Sequence, residues 1–331
     1  MKSARFGQDG SAQHKSIPLG GILAAMAWLA LANTSCSIKG IDTEHYYLCI
    51  GISEYSVFSS LHYPTQDATD LGKLLSERGW QNAAYEKDSS PWEEGLLLDE
   101  NATKENIKDA IEKGFKDVTS DATILVYFSG HGTTDESTGT CYLLPYDYST
   151  SNGFSKAISP AELNSWFSAL HTKNIIFISD SCYSGGFVST QDSEDTMPAL
   201  YQDGADTSLA TLSYSLTNFG SLLAKNAETT GALAPIAISA AGAKEFSYEG
   251  DPDDDGPDQG HGIFTYYLLE AAQKGDSNQD GNVTCTEAYS YTARCINEYW
   301  NDKYGNEMSF YPHISGGARD LVLYCKSQDG G

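Results

Sequence analysis

Two apolar runs of nearly the same plan constrain this chain more than anything else in it. Ala122 to Gly132 reads ATILVYFSGHG, and Asn174 to Gly186 reads NIIFISDSCYSGG. Each is a short stretch of branched and aromatic residues that stops at small residues and glycine. Such runs suit strands covered on both faces, as in a parallel sheet flanked by helices. In sheets of that kind, ligands collect where the carboxyl ends of the strands open into a crevice. One run ends in the imidazole of His131, the other in the thiol of Cys182. Side chains alternate along extended chain, so Ser129 and His131 are expected to share a face, and so are Asp180 and Cys182. If the two strands are neighbours, four functional groups converge.

A free thiol near neutral pH is only a few per cent thiolate, so a nucleophilic cysteine needs an adjacent base. His131 can supply it and later protonate the leaving amine. Glycines 130, 132, 185 and 186 permit tight turns and close approach of a substrate backbone. The N–H groups of Gly132 and Cys182 are candidate oxyanion donors. Taken singly, a buried cysteine is usually a small core hydrophobe and a loop histidine has no role. The matched strand-end contexts favour a catalytic dyad.

FSGHG after one apolar run, with DSCYSGG after another about fifty residues later, resembles the caspase and metacaspase cysteine peptidases. Asp180 makes the likeness closer to the metacaspase-like bacterial branch. The resemblance spans about residues 44 to 325 and implies an α/β, three-layer caspase-like fold, a mostly parallel doubly wound sheet with helices on both faces. Metacaspases prefer arginine or lysine before the scissile bond, through acidic residues beside the nucleophile. Carried over residue by residue, Asp180 and Ser129 match, and LHYPTQDA puts Asp67 in the same substrate pocket, with Pro64 where the family often has cysteine. Two carboxylates and a hydroxyl in a partly dry pocket suit a guanidinium. An acidic side chain there would meet like charge.

The rest of the chain supports the alternation such a sheet needs. Tyr46 to Ile52 reads as a strand, about Gln66 to Arg78 as a helix, and Ala83 to Glu86 as a strand. A helix capped by Thr103 follows. After the His131 strand come a short extended piece, Thr140 to Leu144, and a helix announced by the capping box Ser159-Pro160-Ala161-Glu162. Residues 187 to 232 break the pattern and read as an insertion, before a strand at Pro235 to Ala241 and a last strand at Asp320 to Tyr324. In the resembled family this interval is often cleaved during activation. Its one basic residue, Lys225, is the candidate self-cleavage point.

Residues 276 to 287, DSNQDGNVTCTE, form a twelve-residue pattern that resembles an EF-hand calcium loop. Side chains of Asp276, Asn278 and Asp280, the carbonyl of Asn282, Thr284 and a bidentate Glu287 would supply oxygens, and Gly281 the sharp turn. The calcium that activates many metacaspases is held elsewhere, and this chain has Thr140, Ser159 and Ser189 at those positions, so a structural Ca2+ is expected. His261-Gly262 is a second HG pair and a rival base, ranked below His131 because it ends no apolar strand.

Lys2, Arg5 and Lys15 precede an apolar run, Ile17 to Ala32, and then Cys36. This is an export signal pattern over residues 1 to 36, leaving a peptidase domain at 37 to 331. Cleavage before Cys36 would give a lipoprotein and a cell-envelope location, although Asn33 stands where that motif usually has leucine. Cleavage after Ala32 would give a periplasmic or secreted protein. The cysteines beyond Cys36 show no disulfide framework. The net charge of −25 argues against nucleic acid and anionic lipid as partners. The expectation is an exported cysteine endopeptidase acting on proteins or peptides with Arg or Lys. The alternative is an inactive, calcium-stabilised scaffold on the same fold.

Overall fold

The computed structural model describes residues 44–83, 94–135, 137–181, 219–230, 234–241, 247–250, 260–305, 309–317 and 319–325. They belong to one compact unit that begins at Thr43. The two apolar runs form β4 (Thr123–Ser129) and β7 (Asn174–Asp180), and every residue of both is buried. They pair in parallel from Thr123–Asn174 to Ser129–Asp180, so the strands end level. On the other side of β4 lies β1 (His45–Gly51), also parallel, with Gly51 opposite Ser129.

Beyond β1 the edge is shared by β2 (Gln81–Asn82) and β3 (Leu96–Leu98). Beyond β7 come β8 (Ile236–Ser239), parallel, and β10 (His313–Ser315), antiparallel. The sheet among the described residues is therefore mixed but mostly parallel, seven-stranded, ordered β10-β8-β7-β4-β1-β2 with β3 also on β1. A hairpin, β5 (Gly132–Asp135) and β6 (Thr140–Leu143), leaves the His131 end of β4 and stands apart. The last strand, β11 (Val322–Tyr324), does not join the main sheet. It pairs with β9 (Val283–Thr284) in the calcium-loop pattern.

Alternation along β4 sorts the core into two layers. Ile124, Val126 and Phe128 face one hydrophobic cluster, and Leu125 and Tyr127 the other. The first is closed by α2 (Lys104–Gly114), α3 (Pro160–Ser168) and α4 (Phe219–Thr230), through Ile107, Ile111, Leu163, Phe167 and Leu223. The second is closed by α1 (Pro64–Glu77), α5 (Ile263–Lys274) and α6 (Cys285–Cys295), through Leu71, Leu75, Phe264, Leu268 and Ala288. Each leucine so buried contributes about 1.5–3 kcal/mol. Local signals fix the helix starts. Thr103 accepts from the Asn106 N–H, and Ser159 and Glu162 form a complete capping box.

α4 lies inside the interval expected to be an insertion. It supplies the crossover between β7 and β8 that a right-handed parallel connection requires. Lys225 is exposed in the middle of this helix, between buried Ala224 and Ala227. Cleavage there would require the helix to open, because a peptidase binds extended backbone. Residues 1–43 and 182–218 lie outside the described residues.

Candidate active site

The level ends of β4 and β7 carry the site. Past Ser129 the chain crosses Gly130, at φ +154°, where a β-carbon would lie 2.6 Å from the Tyr55 hydroxyl. Only glycine suits that position. The same residue breaks the alternation expected between Ser129 and His131. Ser129 Oγ approaches Asp67 Oδ2 of α1 at 3.4 Å. The His131 ring instead meets Tyr55 and Phe58 at 4.7 and 6.1 Å between centroids, and both belong to the opposite cluster. The expectation that the two side chains share a face is thereby corrected. Asp180 remains on the face of Ser129.

Two hydrogen bonds orient His131. Its backbone N–H donates to the Tyr55 hydroxyl at 2.9 Å, and the hydroxyl in turn donates to the Leu144 carbonyl. Nε2 lies 2.8 Å from the Ser59 carbonyl oxygen. A carbonyl can only accept, so Nε2 carries the hydrogen and Nδ1 keeps its lone pair. Burial pulls the imidazole below its ordinary pKa, opposed by the Ser59 bond. His131 is therefore a neutral imidazole at pH 7 with one basic nitrogen. The Ser59 carbonyl had no signature in the sequence, because every residue has one.

Gly132 opens β5 opposite Leu143. Leu143 exchanges both backbone hydrogen bonds with Ile158, and Leu144 N–H donates to His131 O. Gly132 and Leu143 are thus a non-hydrogen-bonded pair, and the Gly132 N–H is directed away from β6. That direction suits an oxyanion donor. Cys182, the expected nucleophile and second donor, lies outside the described residues, which follow its strand as far as buried Ser181.

Asp67, Asp180 and Ser129 do come together. Gly262, at the start of α5, lies against both carboxylates, and a β-carbon there would sit 2.7 Å from Asp180 Oδ2 and 3.1 Å from Asp67 Oδ2. Its N–H donates to Asp67 at 3.2 Å. Asp180 accepts from Ser247 Oγ at 2.5 Å and from Thr265 Oγ1 at 2.6 Å. Burial pushes both acids up. Asp67 reaches about 7 although the His261 bond works the other way, and Asp180 is raised against the Ser247 and Thr265 bonds. Nothing in the sequence alone singled out Ser247 or Thr265.

His261 joins this acid pair instead of the strand-end dyad. Nδ1 is 2.9 Å from Asp67 Oδ1 and Nε2 3.5 Å from Asp70 Oδ2. Burial alone would lower its pKa, but the Asp67 bond and the charges of Asp67 and Asp70 outweigh it and raise the value. An imidazole held between two carboxylates favours its protonated form and is poorly placed to accept a thiol proton.

The 276–287 loop turns sharply, with Gln279 at φ 61° and Gly281 at φ 92°. Asp276 accepts from the N–H groups of Asp280 and Gly281, and Asn278 from that of Asp280. Glu287 forms a capping box with Thr284 and also accepts from Ser277 Oγ. No group of three or more His, Cys, Asp or Glu side chains is gathered as metal ligands among the described residues. Any cation here would also draw on Asn278, the Asn282 carbonyl and Thr284.

A model of the caspase domain matches residues 45–298, well over half of the chain. The chain belongs to the caspase family. Solved structures agree at the level of fold. Caspase-1 from Spodoptera frugiperda has a TM-score of 0.52 and 14% identity over 87% of this chain and 92% of that one. The pro-form of the same caspase gives 0.52 and 13% over 86% and 92%. Protein GSU0716 from Geobacter sulfurreducens gives 0.51 and 15% over 86% and 98%. No curated protein matches. The caspase fold accounts for the mixed, mostly parallel sheet, and the family is one of cysteine peptidases acting on protein.

Proposed function

We propose that this caspase-family protein is an exported cysteine endopeptidase of the metacaspase-like branch that cleaves after Arg or Lys, with Cys182 as nucleophile and His131 as base and acid. One observation carries the specificity: two buried carboxylates, Asp67 and Asp180, meet around Gly262 beside the strand end that leads to Cys182. A substrate guanidinium or ammonium placed there would gain charge-assisted hydrogen bonds. An acidic side chain would face two like charges.

In the reaction, His131 Nδ1 takes the Cys182 thiol proton as sulfur attacks the scissile carbonyl carbon. The oxyanion is held by the N–H groups of Gly132 and Cys182. Collapse breaks the C–N bond, and the imidazolium returns its proton to the leaving amine. Water, deprotonated by His131, then attacks the thioester and releases the carboxylic product and the free thiol. His131 N–H is committed to Tyr55 and does not serve as an oxyanion donor.

A short Arg-ending fluorogenic peptide tests this reading. Cleavage should follow Arg or Lys and vanish in Cys182→Ala; turnover that survives Cys182→Ala, or that prefers Asp before the scissile bond, contradicts it. We further propose that the 276–287 loop binds Ca2+ through the hard oxygens named above and ties β9 to the start of α6. Adding Ca2+ to chelated protein should raise Tm by several degrees, since a ligand at a hundredfold over its Kd adds about 2.7 kcal/mol. An unchanged Tm removes the cation from the fold. Export by residues 1–36, with or without a lipid on Cys36, would be read from the mass of the mature N-terminus.

A further inference from the structure

Both carboxylates of the acid pair are buried and hydrogen-bonded in this structure. Asp67 is 1% exposed and Asp180 6%. Asp67 is bonded by Ser129, His261 and Gly262, and Asp180 by Ser247 and Thr265. Asp67 Oδ1 already accepts from His261 and Gly262, so a cationic side chain can take a place on it only if one of these partners leaves. Gly262 N–H is backbone, Ser129 ends β4 and Thr265 lies in α5, both buried, while Ser247, a half-buried side chain that precedes the bridge between Glu249 and Gly262, bonds Asp180 and not Asp67. The fifth, His261, is a side chain with 17% of its surface in solvent. Its backbone is held independently, with its carbonyl accepting from Gly250 N–H at 2.9 Å. Rotation of its side chain alone would uncover Asp67 Oδ1.

We propose that His261 is a built-in plug of the pocket for the residue before the scissile bond: its imidazole occupies the seat of the substrate cation on Asp67, and Arg or Lys must displace it to bind. This rests on the Arg/Lys reading of the same pocket. His261 offers one N–H to Asp67 Oδ1, with a second ring nitrogen towards Asp70, so it is a small, one-contact stand-in for a planar guanidinium. The plug makes the empty pocket tolerable by placing a partner on a carboxylate otherwise buried and short of one donor. It also taxes substrate binding by the fraction of molecules in which it is closed.

The test is steady-state kinetics of the full-length enzyme on an Arg-ending peptide, comparing the parent with His261→Ala and His261→Gln. The plug predicts that KM falls about tenfold in His261→Ala, as expected for losing one competing charge-assisted bond, while kcat changes less than about twofold. Glutamine, whose amide can still donate to Asp67, should retain part of the parental KM and guards against a folding defect in the alanine variant. A second readout is the NMR titration of the His261 imidazole. Adding N-acetyl-arginine methylamide should release the ring from Asp67 and lower its pKa towards the ordinary value. An unchanged or raised KM in both variants, with the parent cleaving after Arg, overturns the plug and leaves the specificity reading standing. If neither parent nor variants cleave after Arg or Lys, the specificity reading fails and the plug falls with it.

Discussion

Replacing His131 with glutamine should lower kcat/KM on an Arg-ending peptide by about a hundredfold to ten-thousandfold, the range for losing a general acid and base. Glutamine is the sharper choice than alanine. Its amide nitrogen can keep donating to the Ser59 carbonyl, which the imidazole Nε2 reaches at 2.8 Å. Its stem still covers the edges of Tyr55 and Phe58, so the melting temperature should move little. Only the basic nitrogen disappears. Because burial holds His131 below the usual imidazole value, the parent should keep its base neutral somewhat below pH 6.5. A glutamine variant that retains activity within tenfold of the parent would remove His131 from the chemistry. His261 would then be the next histidine to test, and its position between Asp67 and Asp70 argues against it.

What could be read in the sequence was what burial on two faces demands. β4 and β7 are uninterrupted apolar runs because helices cover both sides of the sheet, and their polar ends were legible because a strand terminus beside glycine has no packing reason to carry histidine, aspartate or cysteine. Asp67 was found through a segment pattern, and the structure brings it beside Ser129 and Gly262. The misses have physical causes. Gly130 breaks the two-residue alternation, so parity failed for His131 one step beyond the strand. β10 has three residues and joins antiparallel at an edge, too short to show a period. α4 was hidden by the Ser, Thr and Gly-rich stretch before it, although Leu222, Leu223 and Ala227 have helical spacing. Backbone partners such as the Ser59 carbonyl and the Gly262 N–H leave no trace in residue identity. The Asp180 partners Ser247 and Thr265 become visible only when α5 is placed against β7.

Asp67→Asn should uncouple function from stability in one substitution. On Arg or Lys peptides kcat/KM should fall about thirtyfold or more, since removing one partner of a buried charge pair costs about 2–5 kcal/mol. Cleavage after an uncharged residue should change far less. Stability should move the other way. The Asp67 carboxyl, ordinarily at 3.8, is raised in the fold to about 7, chiefly by burial. Between those two values the native state binds more protons than the unfolded chain, so this group's contribution to stability declines as pH rises and the full penalty stands above about pH 7. Asparagine removes the ionisation and can still accept from Gly262 N–H. His261, with its raised pKa, contributes stability at low pH that is lost as pH rises through that value, so the comparison is made on the alkaline side, at about pH 9. There the variant should be more stable than the parent by on the order of 2 kcal/mol, after allowing for bonds the amide makes less well. The advantage should shrink as pH falls below about 7. Urea unfolding of both proteins across this range measures it. A variant less stable than the parent at pH 9, or one that cleaves after Arg at the parental rate, would mean that Asp67 is an ordinary structural carboxylate and that selection for a basic residue arises elsewhere.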